Sequence, residues 1–163
     1  MSNWIINGVM LLKGLPIDSP KVIETTANAF LDIIKLKPRK FSASEIITND
    51  MTFGFIAGAT LATTLNVISN IKKEKYLKIF ILVMQRIFYG VEKTYEIEEM
   101  VKAKMFGFEN ISTLQFQRAF KIGEKLFSNF PHEQLDEIVE VYFLELLNGN
   151  MIPLFIEDFQ IEH

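Results

Sequence analysis

The architecture turns on residues 51–71, MTFGFIAGATLATTLNVISNI, a run of 21 residues without a single Asp, Glu, Lys or Arg. As a helix it would be about 30 Å long, enough to cross a bilayer, and Gly54 and Gly58 form a G-x-x-x-G pair that Ala62 extends. Against a membrane span, one third of the run is polar: Thr52, Thr60, Thr63, Thr64, Asn66, Ser69 and Asn70. Asn side chains are costly among lipids, and no second span follows. The run therefore predicts the central helix of a soluble bundle. Two glycines inside a helix cost about 1 kcal/mol each relative to Ala, so close packing of a neighbouring helix, or backbone contact with a ligand, must offset them.

Working outward, Asn49 or Asp50 caps this helix, and Ser42-Ala43-Ser44-Glu45 before it has capping-box spacing, predicting a short helix over 43–48. Ser19-Pro20 reads as N-cap and first helical residue of a helix to about Lys37, with Ile23, Ala27, Phe30, Leu31 and Ile34 on one face. An apolar helix over 3–13 precedes it, stopped by Gly14 and Pro16. On the other side, Lys72-Lys73-Glu74-Lys75 marks a turn and a helix follows over about 74–89. Its centre, Ile79-Phe80-Ile81-Leu82-Val83, is rich enough in β-branched residues to be a strand, but its length and its flanking Lys, Met and Gln favour helix.

Three helices remain. One runs from Thr94 to Met105, with Glu98 and Lys102 paired at i,i+4. The capping box Ser112-Thr113-Leu114-Gln115 opens another to about Ser128, with Phe116, Ala119, Phe120, Gly123, Leu126 and Phe127 on its buried side. The last starts at Pro131, buries Leu135, Ile138, Val139, Tyr142, Phe143 and Leu146, and closes at Gly149. The apolar tail 151–163 packs back on the body, with a short edge strand as one option. No repeat, low-complexity tract or linker interrupts the chain. The expected fold is all-α, a single-domain bundle of about seven helices spanning residues 1–163.

Composition supports a packed core. A chain of 163 residues, 49% hydrophobic with fifteen Phe and seven Met, buries roughly 70% of its unfolded surface. It has no Cys, which removes disulfides, thiolate metal sites and cysteine nucleophiles. The N-terminus lacks a basic region and a small-x-small cleavage site, so a cytoplasmic location is expected.

Charge is distributed unevenly. Residues 1–71 are net +1 and residues 72–125 net +4, but after Lys125 no basic residue occurs and eight carboxylates follow. Glu133, Asp136, Glu137 and Glu140 recur at i, i+3, i+4 and i+7, so all four share one face of the last helix. Glu157 and Asp158 add to the acidity in the tail. Like charges at this spacing destabilise a helix by a few tenths of a kcal/mol, and ordinary surfaces intersperse Lys or Arg to relieve it. A face that forgoes this relief suits a basic partner, although acids also decorate helix exteriors for solubility alone.

Motifs for chemistry are weak. His132-Glu133-Gln134-Leu135-Asp136 resembles H-E-x-x-H, but Asp136 stands where the second His belongs, and the only other His is His163. No Glu precedes a His by three, which removes a di-iron bundle. The clusters Lys35, Lys37, Arg39, Lys40 and Lys72, Lys73, Lys75, Lys78 are turn and helix-end lysines, and a pI near 5.5 opposes nucleic-acid binding. No phosphate loop or serine-nucleophile motif occurs, and no metal or cofactor is implied.

The leading functional expectation is a small non-catalytic protein that binds a basic protein partner through Glu133, Asp136, Glu137, Glu140, Glu157 and Asp158. Its concrete form is an immunity or antitoxin protein that neutralises a basic toxin. The alternative is a helical ligand-binding or regulatory domain whose Phe- and Met-rich core encloses an apolar pocket.

Overall fold

The computed structural model describes residues 13–36, 41–90, 92–106, 114–129 and 132–149. Seven helices occur among them: α1 (Ser19–Leu36), α2 (Ala43–Thr48), α3 (Asp50–Val67), α4 (Lys73–Ile87), α5 (Thr94–Phe106), α6 (Leu114–Asn129) and α7 (His132–Leu147). There is no sheet among the described residues, only an isolated bridge between Tyr89 and Glu92. The expected helix over 3–13, the possible strand in 151–163 and the box residues Ser112 and Thr113 lie outside the described residues. All seven helices contribute to one hydrophobic core.

Local chemistry explains the helix ends. The Ser42 hydroxyl accepts from the Glu45 N–H at 3.1 Å, and the Glu45 carboxylate accepts from the Ser42 N–H at 3.3 Å, completing the capping box. Asn49 caps α3, its side-chain oxygen accepting from the N–H groups of Met51 and Thr52. The expected start of α1 needs correction. Ser19 does not cap with its side chain: it is the first helical residue, fully buried, and its Oγ has no protein partner. The carbonyl of Asp18 accepts instead, from Lys21 and Val22.

A second correction concerns the far end of α3. The helix stops at Val67 rather than Ile71, because Ile68 adopts an extended conformation (φ −121°, ψ 103°) and Ser69-Asn70 bends the chain away. The apolar segment 79–83 is helical within α4, where Ile79 through Gln85 are all buried. Gly149, at φ +84°, supplies the left-handed turn that ends α7.

Helix α3 is the axis of the fold. Every residue from Met51 to Thr60 is buried, and α1, α2, α4, α6 and α7 all pack against it. Its polar residues are satisfied within the backbone: the hydroxyls of Thr60, Thr63 and Thr64 donate to the carbonyls of Ile56, Ala59 and Thr60 at 2.6–2.9 Å. Thr52 donates to the carbonyl of Ile46 at 2.8 Å, tying α3 to α2. No helix among the described residues is long and apolar enough to cross a membrane.

The glycines mark where α6 meets α3, the most extensive helix pairing among the described residues. A Cβ at Gly54 would lie 2.6 Å from the Phe116 carbonyl oxygen, one at Gly58 2.0 Å from that of Phe120, and one at Gly123 2.2 Å from that of Phe55. Backbones this close leave no room for any side chain, which is the offset that the helical glycines require. Because the contact residues advance together, α3 and α6 run parallel. Beside this seam the rings of Phe30, Phe55, Phe127 and Phe143 lie with centroids 5.4–6.5 Å apart, edge-on and stacked.

Candidate functional site

Helix α7 is built to show two different faces. Val139 and Phe143 are fully buried and Leu146 is 2% exposed, a 3–4 residue rhythm that seats the helix on α1, α3 and α6. Phe143 meets the Phe30 ring at 5.4 Å and the Phe55 ring at 6.1 Å, which fixes the rotation of α7 about its own axis. The outward face is then determined. Glu137 is exposed, Glu140 is half-buried, and Val141, one turn after Glu137, is 57% exposed.

All four stripe acids fall within this helix. The side chains of Glu133 and Asp136 lie outside the described residues, as do Glu157 and Asp158 altogether. The apolar residue beside the described acids is an aliphatic one, Val141, whereas Tyr142 is half-buried and Phe143 belongs to the core. Sequence periodicity placed the acids but did not single out Val141. The signal was available, since Val141 lies two residues from both buried Val139 and Phe143 and so faces away from them.

The C-terminal end of α7 borders a cleft of about 750 Å³. Glu45, Thr48, Asn49 and Asp50 from the α2–α3 junction form one wall, Gln115 of α6 another, and Leu144, Leu147 and Asn148 the third. Asp50 is ion-paired with Lys104 of α5, whose ammonium lies 6.0 Å from the centre of the Phe53 ring. The cleft is therefore mixed in character, its lining set by helix ends, with Phe41, Met51, Leu144 and Leu147 beside the polar groups.

Other polar groups are engaged in holding helices together. Arg86 pairs with Glu24 at 3.2 Å across α4 and α1, and Lys102 with Glu98 at 2.6 Å, the i,i+4 pair that the sequence predicts. The Tyr76 hydroxyl donates to the Ala57 carbonyl at 2.7 Å. Burial, reinforced by the nearby Glu124 carboxylate, pushes the Tyr76 phenol above its ordinary value. Among the described residues no three of His, Cys, Asp and Glu come together as metal ligands. The side chain of His132, and His163, lie outside the described residues.

The geometry defines an all-helical protein with a packed aromatic core and a last helix that buries Val139, Phe143 and Leu146 and exposes Glu137 and Val141. Comparison with protein-family models, curated proteins and solved structures finds no match to this chain.

Proposed function

We propose that this chain is a non-catalytic protein-binding protein that takes a basic partner against the outer face of α7, in the manner of an immunity or antitoxin protein that neutralises a basic toxin. One observation carries the reading: exposed Glu137 and exposed Val141 lie one turn apart on a helix that belongs to a segment without any basic residue after Lys125. An apolar side chain rimmed by charge of one sign is a pattern suited to an interface. The carboxylates accelerate and orient encounter, and the apolar group is desolvated on contact. The core gives the alternative less support, because its phenylalanines pack ring on ring, and the 750 Å³ cleft mixes polar side chains with Phe41, Met51, Leu144 and Leu147 rather than forming an apolar pocket.

The test is capture from the native host by the full chain, followed by the same capture with Glu133, Asp136, Glu137 and Glu140 changed together to Lys. A basic protein retained by the first and lost by the second, with helical circular dichroism unchanged, supports the proposal. Retention by both overturns it. Association with the captured protein should also slow steeply as salt rises, since steering between exposed charges is screened over about 10 Å at 0.1 M.

A further inference from the structure

The elbow between α4 and α5, remote in sequence from the acidic helix, encloses a second cleft of about 510 Å³, within the size range of small-molecule sites. Gln85 forms part of its wall. This side chain is 2% exposed, and its Nε2 donates to the Thr94 carbonyl at 2.9 Å. A carbonyl can only accept, so the amide orientation is fixed, and Oε1 is left buried with no protein donor. The buried threonines of α3 all find partners, and the other buried orphan among the described residues, Ser19 Oγ, is on a residue that lines neither cleft. A buried oxygen without a donor, on a residue that lines a cleft, calls for one.

The surrounding groups specify its chemistry. Glu98 is engaged by Lys102 at 2.6 Å, whereas Glu92, half-buried in the same wall, makes no ion pair among the described residues. Tyr89 and Tyr95 belong to the lining, Tyr95 being 61% exposed, and so does exposed Lys93. We propose that this elbow binds a small organic monocation carrying N–H donors, an alkylguanidinium or alkylammonium. The ligand donates to Gln85 Oε1 and Glu92 and lies against a tyrosine ring. Because Oε1 exposes less than 1 Å², the N–H reaches it only when the wall around Gln85 opens on binding.

The experiment titrates the full chain with butylguanidinium while following the Gln85 side-chain amide and the Tyr89 and Tyr95 rings by NMR, with tetramethylammonium, which has no N–H, in parallel. The expected result is saturable binding with shifts at Gln85, weakened about tenfold or more in Glu92→Gln and in Gln85→Leu, and no comparable response to tetramethylammonium. If Gln85→Leu does not fold, Glu92→Gln decides. A Gln85 signal that does not move, as for an oxygen satisfied by water alone, overturns the proposal. So does equal binding of tetramethylammonium, or a Glu92→Gln protein that binds as tightly as the parent.

Discussion

Helices α3 and α7 are of similar length, 18 and 16 residues, and both pack on the Phe30 ring, yet they solve opposite problems. In α3 burial is continuous around the helix from Met51 to Thr60, and its closest neighbour approaches where side chains are missing. Among the described side chains of α7 burial is confined to the stripe of Val139, Phe143 and Leu146, and Glu137 and Val141 are exposed. The first helix is specified by contact alone. The second exposes side chains that the core does not use, and it is on these that the proposed partner would act.

The most damaging way to break this contrast is to remove what the two helices share. Phe30→Ala deletes the ring that touches Phe55 of α3 and Phe143 of α7, and should cost about 3–5 kcal/mol, measured by urea denaturation. Gly58→Ala attacks α3 alone. The added methyl would sit 2.0 Å from a backbone oxygen of α6, so the helices must part, and the overpacking outweighs the helix-propensity gain of about 1 kcal/mol. A net loss of about 2 kcal/mol, seen as a fall of about 4–8 °C in Tm, is expected. Alanine tolerated at Gly58 would mean that the seam is loose.

Tyr76→Phe is milder. It removes the hydroxyl that donates to Ala57, at a cost of about 1 kcal/mol at neutral pH. The same residue predicts a pH effect whose sign follows from burial. The folded state holds the phenol proton more tightly than the unfolded chain does, so this contribution is intact below about pH 10 and is lost as pH rises above it. Denaturant midpoints measured from pH 9 to 11 should fall for the parent chain, with the Tyr76 share of that fall absent from Tyr76→Phe. At the small end, Glu137→Lys on the exposed face of α7 should change stability by no more than about 0.5 kcal/mol while weakening capture of a basic partner. A large loss of stability would move Glu137 from the recognition side of the comparison to the packing side.

Much of this was legible in the residues. Capping chemistry is local, so Ser42 with Glu45, and Asn49, announced their helix starts. Gly54 and Gly58 announced close packing through their helix-propensity cost, but nothing local says that their face belongs against Gly123 of α6. Ser19 was misread because the Ser-Pro pair fits a cap, while burial by the rest of the fold took the serine inside. The second half of α4, whose centre could have read as a strand, is buried on nearly all sides, since α1, α3 and α5 all pack on that helix. Gln85 was hidden by the same crowding: a polar letter at a helix end reads as surface until the α5 chain folds over it. On α7 the acid spacing was plain, and the exposed Val141 emerged only once Phe143 had fixed the helix rotation.

The parallel course of α3 and α6 also shapes how the chain reaches its fold. Gly58 and Phe120, the tightest backbone approach among the helical glycines, are 62 residues apart, and parallel alignment obliges the intervening chain to return along the molecule before α6 can begin. This contact cannot nucleate from a local hairpin. It forms only after the entropy of closing a long loop has been met, late among the events of folding, and on a ribosome not before α6 has emerged. Until then the Gly54–Gly58 face of α3 is uncovered, so nascent chains are most prone to associate in the interval between synthesis of Val67 and arrival of Gly123.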